Sequence, residues 1–231
     1  MTPAAYIDAH EADLIALLRR LVRLPTVNPP GDHYDAITTL LTAELARAGL
    51  DARRLRVPDA FAKKHLSPEQ LHLPRWNVLG RLAAPTPAPT PAPAPSPAAK
   101  PRTLHFNAHY DVVPVSGKWR HGSPFSGAVE DGWIFGRGTA DMKGSIASLL
   151  LALRALKATR TAPALNVEVS FTADEETDSE LGAGWLVRHA DIAPDYALVL
   201  EGGEGRRIGC GHNGVVWLEV TVHGLAAHGS T

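Results

Sequence analysis

From residue 103 to residue 200 the sequence alternates between two kinds of apolar pattern, and that alternation limits the fold more than any other feature. Residues 103–108 place Leu104, Phe106 and Ala108 on one side of an extended stretch, as a strand requires. Residues 145–158 are rich in Ala and Leu, the composition of a buried or half-buried helix. Residues 165–172 alternate again, 181–189 suit a short helix, and 196–200 suit a parallel strand. Strands separated by helices predict an α/β fold, a three-layer domain around a mostly parallel central sheet. Upstream, Ile7, Leu14, Leu18, Leu21 and Val22 fall at the spacing of one helix that ends at Pro25. A second helix is predicted over 34–48, with Gly49 as its stop, and strands over 50–57 and 76–82.

Residues 83–101 read AAPTPAPTPAPAPSPAAKP. Proline at almost every second position cannot donate ladder hydrogen bonds and favours an extended polyproline conformation. The segment is read as an elongated surface loop within one domain. The strands on either side can still pair, since each doubling of a flexible loop costs only about 0.6 kcal/mol. Near the end, Val216, Leu218, Val220 and Val222 alternate with Trp217, Glu219 and Thr221, which predicts a strand of a different, half-exposed sheet. Residues 1–208 are accordingly assigned to the first domain, and 209–231 to the beginning of a second.

A formal charge of −1, from 23 basic and 24 acidic side chains, provides no field to gather nucleic acid or an anionic membrane. The single cysteine, Cys210, cannot form an internal disulfide. Asp8, Glu11 and Asp13 interrupt any secretory apolar segment, and no apolar run is long enough to span a bilayer. These features predict a cytoplasmic protein that binds neither nucleic acid nor membrane.

Four groups able to bind a metal sit where strands should end, the place where open α/β sheets carry their ligand sites. His109 and Asp111 are two apart on an extended chain and so point the same way. Asp111 can then hold the ring of His109 while the other ring nitrogen faces a metal. Next comes the glycine-rich turn GRGTADMKG, residues 136–144. It is a poor nucleotide loop, because Asp141 stands where a third glycine belongs and no Gly-Lys-Ser/Thr follows. A carboxylate there suits a pair of cations roughly 3.5–4 Å apart, each taking one oxygen. Asp174-Glu175-Glu176 follows the 165–172 strand, so that one glutamate can bind a metal while the other serves as a general base. Glu201 ends the last parallel strand.

The stretches HYDVVPV, GRGTADMKG, ADEET and LEGGE, in this order and spacing, resemble the dinuclear zinc peptidase/deacylase family that includes acetylornithine deacetylase, succinyl-diaminopimelate desuccinylase, aminoacylase and glutamate carboxypeptidases. LVRLPTVNPPG and WRHGSPFSGAVEDGWIFGRG are similar to the family as well, and the resemblance runs from about Ala12 to the last residue. It implies that His109 and Glu201 bind a first Zn²⁺, that Asp141 bridges two, and that Glu176 binds the second. Co²⁺ would be a workable substitute. Glu175 becomes the general base, and Asp111 orients His109. The implied substrate is a small N-acyl amino acid or peptide, and Glu rather than Asp at position 201 favours a deacylase over an exopeptidase. In the family a further zinc-binding histidine follows an inserted lid domain, whereas this sequence ends at Thr231. The expectation is a truncated chain that binds at most one zinc tightly and is impaired in catalysis. HGLAAHGST looks like the start of that lid. The resemblance implies that His228 reaches a partner's active site and that the parent enzyme is a homodimer through the lid.

Overall fold

The computed structural model describes residues 1–85, 101–190, 192–201 and 208–211. Most of the proline-rich loop, the predicted strand over 214–224, His228 and nearly all of the second predicted domain lie outside those residues.

Two helices, α1 (Pro3–Ala9) and α2 (Glu11–Val22), stand where the periodicity predicts one. The break is at His10, at φ −120° and ψ 27°. Its Nδ1 lies 2.7 Å from the Tyr6 carbonyl oxygen, and its ring stacks on Tyr6 at 3.7 Å. A side chain bonded into its own preceding turn competes with helix continuation. Then follow α3 (Tyr34–Arg47), β1 (Asp51–Arg56), a single turn α4 (Asp59–Ala62), β2 (Trp76–Leu82) and β3 (Thr103–His109). A small hairpin, β4 (Ala128–Glu130) and β5 (Trp133–Phe135), which the sequence reading does not anticipate, precedes α5 (Gly144–Ala158). The described chain closes with β6 (Asn166–Thr172), α6 (Ala183–His189) and β7 (Tyr196–Val199).

The main sheet has the order β1-β2-β6-β3-β7. β6 is parallel to β3 and β3 to β7, while β2 runs antiparallel to both its neighbours, so β2 alone is reversed. The expected mostly parallel sheet is therefore present as a mixed sheet with one inverted strand. One expectation fails in detail: the strands flanking the proline-rich loop do not pair with each other, because β6 lies between them. β6 is buried along nearly its whole length. A strand of that kind is worth most at the centre of a sheet, where both faces are covered.

Alternation sends Val167, Val169 and Phe171 to one face, where they meet Leu21, Ile37, Leu41 and Leu45 of α2 and α3 and Ile146 and Leu150 of α5. The opposite face carries a polar set. His105 lies 2.8 Å from both Glu168 Oε1 and Ser170 Oγ, and Asn107 donates to Ser170 Oγ at 2.9 Å. Helix α6 lies on that side, its Leu186 and Ala183 lining a cavity with His105, Asn107 and Ser170. Helices on both faces complete the layered α/β architecture.

Strand register decides which side chains can meet at the sheet's edge. His109 is level with Thr172, and Asn107 with Val199, so the carboxyl ends of β3, β6 and β7 finish side by side. Pairing continues past the strands, with Tyr110 N–H donating to Thr172 O at 3.1 Å and Leu200 N–H to Asn107 O at 2.9 Å.

Candidate metal centre

Those aligned strand ends deliver the predicted side chains to one place. His109, only 1% exposed, is the final residue of β3. Its Nε2 lies 3.0 Å from Asp141 Oδ1, 3.2 Å from Glu201 Oε2 and 3.7 Å from Glu175 Oε2. One donor atom each of His109, Asp141 and Glu176 falls within 4.8 Å of the others. Five groups drawn from His109 through Glu201 in the sequence thus converge, and an open cleft of about 760 Å³ adjoins them, lined by Asp141, Glu201, Ser145 and Ser148.

Asp141 reaches this point because the chain leaves helical geometry just before α5. At Asp141 φ and ψ are −119° and 98°, and at Met142 they are −132° and 26°. Gly138, at φ 83°, begins the turn, and a Cβ there would come within 2.7 Å of Val112 Cγ1. Only glycine fits both the conformation and the space. Lys143 ties the turn to the body of the domain. It is fully buried, and its Nζ donates to Leu21 O at 3.0 Å and Leu24 O at 2.7 Å, at the end of α2 where the helix dipole favours a cation. Burial pulls its pKa down to about 7, with Asp111 opposing the shift.

Asp111 does more than orient a ring. His109 Nδ1 lies 3.0 Å from the backbone carbonyl oxygen of Asp111 and 3.4 Å from its carboxylate. A carbonyl oxygen can only accept, so Nδ1 carries a hydrogen and Nε2 is the nitrogen turned to the carboxylates. The Asp111 carboxylate itself accepts the backbone N–H groups of Glu175, at 3.2 Å, and Glu176, at 3.1 Å. One buried acid therefore ties down the two glutamates of the Asp-Glu-Glu turn.

Sequence reasoning missed the residues behind that turn. Asp174, 2% exposed and in the left-handed region at φ 56°, accepts from Arg75 Nε at 2.7 Å and Tyr34 Oη at 2.8 Å. Gly31, at φ 102°, leaves room for the guanidinium, which a Cβ would approach to 2.4 Å. Neither Arg75 nor Tyr34 belongs to a chemical motif, and only the folded chain places them beside Asp174.

The crowding of acids shifts the protonation of these groups. Burial works to lower the pKa of His109, but Asp111 first, then Glu175 and Glu201, raise it to about 9. Glu176 is pushed up to about 7 by burial and then by the Asp141 charge. Glu201 is raised by burial, which His109 opposes, and by Asp141. Carboxylates gathered this closely repel unless a cation lies among them. The donor set of imidazole and carboxylate oxygen suits a divalent metal, Zn²⁺ among them. Two donors on one tetrahedral zinc stand about 3.3–3.4 Å apart, from bonds of about 2.0–2.1 Å; the spacings of 3.0 and 3.2 Å around His109 Nε2 come close to this. A metal held by His109 and Glu176 would displace the proton of His109 and part of that of Glu176, because ligands bind deprotonated. Zinc uptake at pH 7 is therefore expected to release about one to two protons and to strengthen as pH rises from 7 toward 9. Calorimetry in buffers of different ionisation enthalpy measures this directly; a heat independent of buffer would contradict it.

A sequence profile of peptidase family M20/M25/M40 matches residues 105–225, just over half of the chain and the part that carries every group described around His109. The chain belongs to this family. Among its M20 relatives is the succinyl-diaminopimelate desuccinylase of Acidiphilium cryptum, 30% identical over 225 residues that cover 94% of this chain and 51% of that one. The desuccinylase of Cereibacter sphaeroides is 32% identical over 229 residues, with 94% and 50% covered. The chain spans about half the length of the curated relatives it matches. Human carnosine dipeptidase 1 superposes with a TM-score of 0.62 at 22% identity, over 84% of this chain and 39% of that one. An M20 family metallo-carboxypeptidase from Sulfolobus solfataricus superposes with 0.60 at 20% identity, over 82% and 37%. At such identities these two establish the shared fold. Among the described residues no helix is long and apolar enough to cross a membrane.

Proposed function

We propose that this chain carries the metal-binding part of an amide hydrolase acting on small N-acyl amino acids. The observation that carries the reading is the convergence of Asp141 and Glu201 on His109 Nε2, at 3.0 and 3.2 Å, with Glu176 in the same cluster. His109, Asp141 and Glu201 would hold one zinc, and Asp141 with Glu176 would contribute to a second. Bound there, the metal supplies polarisation of the amide carbonyl and a water of lowered pKa.

The protein's own groups do the rest. Glu175, its side chain 46% exposed and 3.7 Å from His109 Nε2, takes the proton from the attacking water and delivers it to the leaving amine nitrogen, as a general base and then acid. Asp111 keeps His109 and the Glu175–Glu176 backbone in register. The cleft beside Asp141 and Glu201 receives the substrate. Two supports favour deacylation over peptide cleavage: glutamate rather than aspartate at position 201, and relatives named as desuccinylases.

The test is amine release from N-succinyl and N-acetyl amino acids and from dipeptides by the zinc-loaded chain, with zinc per molecule measured in parallel. Zinc-dependent release, faster from the N-acyl substrates, is the expected result. Faster cleavage of dipeptides would overturn the deacylase reading, and failure to retain zinc would overturn the metal centre itself.

A further inference from the structure

Asn28 belongs to none of the stretches that supply the clustered acids and imidazole, yet it sits at their back. The segment after α2 runs beside the extension of β3: Val27 pairs with Val112, Asn28 N–H donates to Val112 O at 2.9 Å, and Val112 N–H donates to Thr26 O at 3.0 Å. This places the Asn28 side chain, in a residue 1% exposed, between two acidic loops. Its Nδ2 lies 3.2 Å from Asp111 Oδ2, 3.2 Å from Asp174 Oδ1 and 3.3 Å from Thr177 Oγ1. With carboxylates on two sides the amide must present its NH₂, the only part of it that donates.

We propose that Asn28 is a positioning residue for the metal centre: its amide locks the Asp111 carboxylate to the Asp174–Thr177 turn and thereby fixes where Glu175 and Glu176 stand relative to His109. The inference rests on the proposed binding of zinc by His109, Asp141, Glu176 and Glu201. Asp111 and Asp174 are buried like charges, at 0% and 2% exposure, and such a pair repels strongly where water does not screen it. Asp174 is held independently by Arg75 and Tyr34. Without the shared donor, Asp111 is the partner that moves, and it carries the backbone N–H contacts of Glu175 and Glu176 with it. A neutral amide suits this place. An aspartate would add a third carboxylate, and glutamine is longer by one methylene.

The experiment uses the 231-residue chain and compares Asn28→Ala, Asn28→Ser, Asp111→Ala and the double variant Asn28→Ala/Asp111→Ala. Zinc dissociation constants come from competition with a chromogenic chelator, and metal-free melting is recorded for each. Asn28→Ala is expected to weaken zinc binding by about 10–100-fold, the range for residues that orient metal ligands. The double variant should bind no more weakly than Asp111→Ala, because once Asp111 is gone Asn28 has nothing left to position. If Asn28→Ala does not fold, the same cycle built on Asn28→Ser serves. Unchanged zinc affinity with only a lowered melt would assign Asn28 a merely structural role and overturn the proposal, as would losses that multiply in the double variant. A parent chain that binds no zinc would instead remove the metal reading, and the proposal with it.

Discussion

Replacing Asp141 with alanine is expected to weaken zinc binding by more than about 100-fold, beyond the effect of losing a residue that only orients a ligand. The side chain is 58% exposed, with its Oδ1 3.0 Å from His109 Nε2. It contributes a donor atom to the cluster rather than packing to the core. The melting temperature of the metal-free chain should therefore change little. Glu176 should also ionise more readily in this variant, because after burial the Asp141 charge is what raises its pKa. Chelator competition, a thermal melt and a carboxyl titration followed by NMR read the three effects. Zinc affinity within a few-fold of the parent would show that Asp141 is not a ligand.

Arg75→Met is the change expected to cost most in stability. The guanidinium is fully buried, donates to Asp174 at 2.7 Å, and also donates to the carbonyl oxygens of Leu73 at 2.9 Å and Pro30 at 2.7 Å. Methionine keeps the apolar stem and leaves a buried carboxylate without its cation. Breaking a buried pair in this way costs about 3–5 kcal/mol. At roughly 2–4 °C per kcal/mol for a chain of this size, melting should fall by roughly 6–20 °C. The sign of the pH dependence follows from the causes acting on Asp174. Burial raises its pKa and Arg75 lowers it, so removing Arg75 raises it further. The folded variant then holds a proton that the unfolded chain gives up near about pH 4. Its stability accordingly falls as pH rises from about 4 toward the raised pKa of the folded state, and its deficit against the parent should be smaller in acid than at neutral pH. Adding Asp174→Leu should recover part of the loss, since the stranded charge is removed with its partner. An equal deficit at both pH values, or no recovery in the double variant, would contradict the role given to this pair.

The elements themselves were legible in the sequence because periodicity is a local property. The alternation of Leu104, Phe106 and Ala108, or of Val167, Val169 and Phe171, states both that a strand forms and which of its faces is apolar. The break at His10 was not legible, since it depends on a ring bonding back to the Tyr6 carbonyl and stacking on Tyr6 rather than on any interruption of the apolar spacing. Nor was the insertion of β6 between β2 and β3, because neighbours in a sheet are chosen by what can be buried on both sides. The clustered acids could be read from strand ends, whereas Asn28, Tyr34 and Arg75 could not. Each is an ordinary residue of a loop, a helix or a strand approach until the fold brings it against Asp111 or Asp174.

The sequence alone determined an α/β domain and named the groups able to gather around a cation, because apolar spacing and residue chemistry are written along the chain. Tertiary structure decided the reversed strand, the nitrogen that His109 turns to the carboxylates, and the buried amide and ion pair behind the Asp-Glu-Glu turn. These depend on distances between segments far apart in the chain, which only packing sets.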